Sequence, residues 1–138
     1  MDGFRRVPCG NPKDGLAASL VAGRAIFLSG ISASNGAASE SVPGTIEGQV
    51  RAAARNVNNA LGLAAWTEEP LSRMVKYTVY VKKGAADPGY VMRLFNEECQ
   101  KLAPTLAGRP GAGNCAVVSQ LMQEDLMLMV DVIGVITE

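Results

Sequence analysis

The side chains that could do chemistry in this chain are few, because it contains no histidine. Histidine is the commonest general base at neutral pH and the usual activator of a serine or cysteine nucleophile. Its absence also removes nearly every zinc-enzyme arrangement, and the three cysteines, Cys9, Cys99 and Cys115, lie far apart in the sequence. Any reaction must use carboxylates, lysine, tyrosine, cysteine, backbone amides or ordered water. We expect no metal and no other cofactor.

Two residues near the C-terminus are candidates for catalysis. Cys115 is a candidate nucleophile, although without a histidine to activate it a buried strand cysteine of ordinary pKa is the favoured interpretation. Asp131 is a carboxylate within the apolar run LMLMVDVIGVI. A carboxylate in such surroundings is either stabilised by a charged partner or retained for a functional role. The position predicts a general acid or base, or equally an ion pair with an arginine or lysine of a neighbouring subunit.

A glycine-rich turn precedes the first of these candidates. Residues 107–115 have the sequence AGRPGAGNC and lead into the apolar run AVVSQLM. A phosphate-binding loop needs a lysine and a hydroxyl at the start of a following helix. Neither residue follows this turn, and the next segment has the pattern of a strand. The turn is therefore not predicted to bind phosphate.

Hydrophobic periodicity predicts the elements that position these residues. Short apolar or alternating runs predict strands, and apolar residues spaced three and four apart predict two helices. Thr45 and Asp87 are predicted N-caps, Pro88 suits a first helical position, and Pro104 marks a helix end. The last two strands are predicted to form an antiparallel pair. The predicted order is strand, strand, helix, strand, helix, strand, strand, over residues 17–23, 24–31, 45–64, 73–83, 87–103, 114–122 and 126–137.

The last strand is apolar on both sides, which predicts an oligomer. One alternate set is Leu126, Leu128, Val130 and Val132, and the other is Met127, Met129, Asp131, Ile133 and Val135. Two helices can cover only one face of the sheet, so the other face would expose a large apolar surface. We predict a homo-oligomer that buries its helix-free face.

Composition places the chain among single-domain proteins. Its 138 residues, 48% apolar and 19% charged, fit one α+β domain over residues 1–138. Lys+Arg and Asp+Glu balance at 13 each, so no overall field attracts nucleic acid or an anionic membrane. The N-terminal segment MDGFRRVPCG lacks the apolar core of a signal peptide, and we expect a cytoplasmic protein without membrane partners.

Three segments resemble successive signatures of the RidA/YjgF family, formerly grouped as endoribonuclease L-PSP. They are AIFLSGI, EGQVRAAARNVNNALGLA and LSRMVKYTVYVKK, and the closing CAVVSQLM and LMLMVDVIGVI are similar to the last two strands of that family. The resemblance covers nearly the whole chain. It implies a chorismate-mutase-like fold, a mixed sheet with two helices on one face. It also implies a homotrimer with small-molecule clefts between neighbouring subunits.

The resemblance also implies an activity, the hydrolysis of reactive imines and enamines to ketoacids and ammonia. In the family an arginine holds the substrate carboxylate as a bidentate fork, helped by a tyrosine, an asparagine and a glutamate. Transferred to this sequence, the arginine position is Gly113 and the tyrosine position is Leu16. The asparagine position is Met92, and the glutamate position is Met129 if the preceding turn has one extra residue. All four polar anchors are thus replaced.

Several residues could give this altered cleft a different specificity. Met92 and Met129 would line an apolar, adaptable cleft, or they are core residues. Arg109 lies four residues before Gly113 and could supply the missing guanidinium. Ser29 and Asn114 offer hydrogen bonds.

Three functions of different class follow. The favoured hypothesis is a RidA-like homotrimeric enzyme acting on a small reactive metabolite, by deaminase-like imine or enamine hydrolysis or by related proton transfer at a non-standard site. The alternative is a non-catalytic trimer that binds a small molecule, as in regulation. An endoribonuclease is the least favoured, because the chain has no net charge, no histidine and no basic aromatic platform.

Overall fold

The computed structural model describes residues 3–8, 17–34 and 42–137. Within these residues the chain forms a single sheet of six strands and two α-helices, with two short 3-10 turns at Pro70–Arg73 and Pro104–Ala107. The elements are β1 (Phe4–Pro8), β2 (Ala17–Ala22), β3 (Ala25–Leu28), α1 (Ile46–Ala64), β4 (Met74–Lys82), α2 (Pro88–Leu102), β5 (Ala112–Val118) and β6 (Leu128–Val135).

The sheet is mixed, as the fold prediction requires. Its strand order is β1-β2-β3-β6-β4-β5, and every neighbouring pair is antiparallel except β4 and β5, which are parallel. Both helices pack on one face, where alternate residues of the central strands are fully buried beneath them. The α+β prediction with two helices on one face is therefore confirmed.

The prediction that the last two strands pair with each other is wrong. β6 lies between β3 and β4, and β5 lies on the far side of β4. The connection between β5 and β6 crosses the end of β4, where Lys83 N donates to Val118 O at 2.8 Å and Lys82 N donates to Met127 O at 2.9 Å. A parallel β4–β5 pair needs a long crossover, and α2 provides it. Both strands therefore add to β4 on opposite sides.

The helices begin where their caps predict. The Thr45 hydroxyl accepts from Gly48 N at 3.1 Å, and the Asp87 carboxylate accepts from Tyr90 N at 3.0 Å, with Pro88 as the first helical residue. Each cap satisfies a backbone N–H that has no partner inside its helix. These local signals were sufficient to place both helix starts.

Two features of the strands differ from the sequence prediction. β1, with the sequence FRRVP, was not predicted, because its exposed edge position leaves no apolar alternation to recognise. In β4 the pairing with β6 shifts between Met74 and Lys76, so Met74 enters the core and Val75 stays 43% exposed. In a regular strand, alternation would place Val75 on the same side as Tyr77. The irregular register moves it to the surface.

The Gln49 side chain connects two loops to the start of α1. This side chain is fully buried, with Nε2 donating to Pro43 O at 3.0 Å and Asp125 O at 2.8 Å, and Oε1 accepting from Met127 N at 2.8 Å. All of its hydrogen-bonding partners are backbone groups. The amide therefore substitutes for regular secondary structure where the loops 42–45 and 123–127 meet.

Replacing Gln49 with leucine is expected to lower the free energy of unfolding by about 3 kcal/mol, because three partly buried backbone groups lose their partner. Urea denaturation followed by circular dichroism measures this change. The control is Asn59→Leu on the exposed side of the same helix, which should change stability by less than about 0.5 kcal/mol. Equal midpoints for both variants would contradict the structural role of Gln49.

The helix-free face is apolar where β2 and β3 lie beside β6, and it has no covering element among the described residues. Phe4 is 49% exposed and Phe27 is 41% exposed on this face, and Phe27 is paired with Ile133 of β6. Leu20 and Val135 lie on the same face, as the strand register shows.

In the described part of the chain, neither helix has the length and apolar character needed to cross a membrane.

Candidate functional site

The position that the resemblance assigns to a substrate-binding arginine is closed by a tyrosine. Gly113 lies in β5, directly opposite Tyr77 of the parallel strand β4. A Cβ added to Gly113 would overlap the Tyr77 ring and lie 2.6 Å from its hydroxyl oxygen. No side chain of any size fits at residue 113 while Tyr77 holds this position.

Tyr77 is held in place on several sides. It is 5% exposed, its hydroxyl donates to Asn96 Oδ1 at 2.7 Å, and its ring packs against Phe95 with 5.5 Å between ring centroids. Burial raises the pKa of the Tyr77 phenol, so the hydroxyl is protonated at neutral pH and acts as a donor. The position that the resemblance assigns to the guanidinium therefore presents a neutral phenol in this chain.

Arg109 remains exposed at the surface before β5. Its backbone N–H donates to Thr105 O at 3.1 Å, which fixes the end of the turn Pro104–Ala107. A cavity beside Tyr77 is lined by Pro110 and Gly111 but not by Arg109. Within one chain, Arg109 does not take the place of the missing arginine.

Met92 and Cys115 lie on the same side of the sheet as Gly113. Met92 is half-buried on α2 and packs against the core, and half-buried Cys115 does the same from β5. Burial raises the pKa of the Cys115 thiol, which is the opposite of what a nucleophile needs at neutral pH. Burial raises the pKa of Cys99 further, to about 12.

Met129 and Gly30, the residue after Ser29, form a second cluster on the helix-free side of β6. The Met129 sulfur lies 2.7 Å from where a Cβ on Gly30 would be, so a side chain at residue 30 would displace the flexible Met129 thioether. The Ser29 hydroxyl donates to Ala17 O. Leu16, the predicted tyrosine position, lies outside the described residues, next to Ala17. Met129 also lines an open cavity of about 450 Å³ with Tyr80, Val118 and residues 120–122.

A row of polar side chains crosses the middle of the helix-free face. Thr78 of β4 is paired with Asp131 of β6 on one side and with Asn114 of β5 on the other. The Thr78 hydroxyl donates to Asn114 Oδ1. Asp131 is exposed and has no ion-pair partner among the described residues. Met129 and Ile133, the neighbours of Asp131 on the helix-free side of β6, are both apolar.

The structure thus divides the predicted site residues between two faces of the sheet. Gly113, Met92 and Cys115 lie on the helix side, whereas Met129, Asp131 and Asn114 lie on the helix-free side. Ser29 follows the end of β3. Gly113 and Met129 do not meet within one chain. The described residues also contain no group of three or more histidine, cysteine, aspartate or glutamate side chains that could hold a metal ion.

Sequence analysis missed Tyr77 and Asn96. In the sequence, Tyr77 alternates with Val79 and Val81, a pattern typical of a packing residue, and Asn96 carries no distinguishing signal. The hydrogen bond between them becomes visible only when α2 is packed on β4. Tyr77 and Asn96 matter to the site because Tyr77 lies opposite Gly113. That pairing is set by the register of β4 and β5.

No protein-family model and no curated protein matches this chain. Solved structures do match it over nearly their full length. Rv2704 of Mycobacterium tuberculosis, a YjgF/YER057c/UK114 family member, superposes with a TM-score of 0.72 at 18% identity, covering 96% of this chain and 99% of that one. NMB1025 of Neisseria meningitidis, a YjgF family member, gives a TM-score of 0.69 at 16% identity, covering 99% of this chain and 98% of that one.

A third similar structure contains a ligand. Escherichia coli TdcF with bound serine superposes with a TM-score of 0.69 at 17% identity, covering 96% of this chain and 93% of that one. These identities establish a shared fold. The chain has the fold of the YjgF family, and the resemblance found in the sequence is confirmed at the level of the fold.

Proposed function

We propose that this chain is a divergent RidA/YjgF-type protein that assembles as a homotrimer and binds a small metabolite in the clefts between its subunits. The shared fold supports this assembly, and so does the helix-free face, where exposed Phe27 is paired with half-buried Ile133. In the trimer, the helix-side residues of one subunit and the Met129 cluster of a neighbour would line one cleft. A cleft between two subunits would bring the helix side of one sheet against the helix-free side of the next. It would therefore unite predicted site residues that lie on opposite faces of a single chain.

The Tyr77 ring beside Gly113 is the observation that carries this proposal. A substrate carboxylate would meet a neutral phenol where related proteins have a guanidinium, and a phenol cannot replace a bidentate positive fork. Met129 likewise has a thioether where the resemblance implies a carboxylate. The proposed cleft therefore binds its ligand without the imine hydrolysis of the family.

Ammonia release from 2-iminopropionate tests the proposal. We expect no release above the spontaneous rate, because nothing in the cleft holds the substrate carboxylate. An arginine-containing member of the family, assayed in parallel, shows that the assay works. Turnover by this chain comparable to that of the control would contradict the assignment of Gly113 to the arginine position.

A catalytic function is the second candidate, and the exposed Asp131 carboxylate favours it. Asp131 has no ion-pair partner within the described residues, and the hydroxyl of its register neighbour Thr78 donates to Asn114 rather than to the carboxylate. A carboxylate in this setting can move a proton to or from a carbon next to a carbonyl. This function would require no arginine, because an uncharged ketone could be the substrate.

Exchange of the C3 protons of 2-butanone in deuterated water, followed by proton NMR, tests this second function. Asp131→Asn is expected to lower the exchange rate about 100-fold, the usual contribution of a general base. Asp125→Asn, an exposed acid in the turn before β6, should leave the rate unchanged. Equal exchange rates for wild type and Asp131→Asn would remove Asp131 from any mechanism.

A further inference from the structure

A cavity of about 220 Å³ lies within one chain, between β4, α2 and the segment that leads into β5. We call it the Tyr77 cavity. Its polar lining residues are Tyr77, Asn96 and Gln100, and its apolar lining includes Met74, Leu106 and Pro110. The cavity shares Tyr77 with the proposed inter-subunit cleft, but none of its other lining residues is a predicted site residue. It opens to solvent beside Gln100 and Pro110, which are both exposed.

The hydrogen bond from Tyr77 fixes the orientation of Asn96. Because Asn96 Oδ1 accepts from the phenol at 2.7 Å, the Nδ2 group is left as a donor, with no protein partner among the described residues. Gln100 lies one helical turn after Asn96, on the same side of α2, and adds a second amide. The Tyr77 oxygen keeps its lone pairs as acceptors. The cavity therefore offers donors and acceptors together.

The cavity carries no formal charge. No lysine, arginine, aspartate or glutamate lines it. The pKa of the Cys99 thiol, which also lines it, is raised to about 12 by burial, so that thiol is neutral. An ion entering this space would lose hydration without gaining a counter-charge. The lining therefore selects for uncharged ligands.

At Gly111 the backbone, without a side chain, forms part of the cavity wall. A Cβ on Gly111 would lie 2.9 Å from Met74 O, so the chain passes close to β4 without a side chain at this point. The cavity volume corresponds to about seven water molecules at ~30 Å³ each. This volume restricts the cavity to a small ligand.

We propose that the Tyr77 cavity binds a small uncharged molecule with an amide-type edge, such as a carboxamide, a lactam or a urea. The ligand carbonyl accepts from Asn96 Nδ2, and the ligand N–H donates to the Tyr77 oxygen or to Gln100 Oε1. All of these groups belong to one chain, so the inference does not rest on the proposed trimer or on its cleft.

Titration of the ¹⁵N-labelled protein with 2-pyrrolidone, followed by two-dimensional NMR, tests this inference. We expect saturable shifts of the Asn96 side-chain amide and of the Gly111 backbone amide. Asn96→Leu is expected to weaken binding at least tenfold, and Gln100→Met, at an exposed position that folding tolerates, about fivefold, since each removes one hydrogen bond. Asn59→Leu, on the outer side of α1, should leave the affinity unchanged.

Three results would overturn the inference. They are an absence of saturable shifts, an affinity unaffected by both Asn96→Leu and Gln100→Met, and equally tight binding of the anion pyruvate at the same residues. The NMR spectrum of each variant reports whether it is folded. Oligomeric state and ammonia release, measured on the same sample, report separately on the proposed function.

Discussion

Gly113→Arg is expected to destabilise this protein rather than to restore an arginine site. The new Cβ would overlap the Tyr77 ring, which cannot move aside while Asn96 and Phe95 hold it. Forcing extra atoms into a packed position costs about 1–3 kcal/mol, and occasionally more, and the arginine side chain makes the upper end of that range appropriate here. Even Gly113→Ala should lower the free energy of unfolding by about 2 kcal/mol.

A double-mutant cycle separates this clash from any general effect of substitution. Tyr77→Ala alone should cost about 3 kcal/mol through the loss of a buried ring. Adding Gly113→Arg to Tyr77→Ala should then cost little, because the space is empty. Urea denaturation of the four proteins measures the coupling between the two positions.

The control for this cycle is Gly108→Ala. Nothing lies within 4 Å of a Cβ at Gly108, so its substitution should change stability by less than about 0.5 kcal/mol. Additive effects of the two substitutions, or a Gly113→Arg protein as stable as wild type, would contradict the geometry at Tyr77.

Ile133→Asp is expected to convert the assembled protein to monomers. Ile133 is paired with Phe27 on the helix-free face, at the centre of the surface that we propose to be buried between subunits. A carboxylate buried there without a partner loses its hydration, at an effective penalty of several kcal/mol per ion. The symmetry of a homotrimer repeats that penalty in every subunit.

Sedimentation equilibrium at about 10 µM, with circular dichroism to verify folding, measures the effect. Leu63→Asp is the matched control, because Leu63 is 71% exposed on the outer side of α1. It should leave the assembly intact. An Ile133→Asp protein that sediments like wild type would show that the helix-free face is not the interface.

Local signals allowed the helices to be predicted from the sequence. The caps at Thr45 and Asp87 and the spacing of apolar residues are properties of neighbouring positions, and both helices begin as expected. Strand pairing is not local in this way. The apolar segments that become β5 and β6 are compatible with a hairpin, and only the competition for both edges of β4 separates them.

The candidate site could be predicted only in part, for the same reason. The resemblance indicated that residue 113 lacks a side chain, but not what fills the space. Tyr77 and Gly113 are 36 residues apart along the chain and are opposed only by the register of two parallel strands. Similarly, an ion-pair partner for Asp131 would come from an adjacent strand or from a neighbouring subunit. Hydrophobic periodicity along the sequence identifies neither of them.

The oligomeric state of the wild-type protein tests the account most directly, because the proposed cleft exists only between subunits. Sedimentation equilibrium at micromolar concentration should give a single species of about three times the 14.4 kDa chain mass. A stable species of 14.4 kDa would contradict the account. It would leave the helix-free face uncovered and the two halves of the proposed cleft on opposite sides of one sheet.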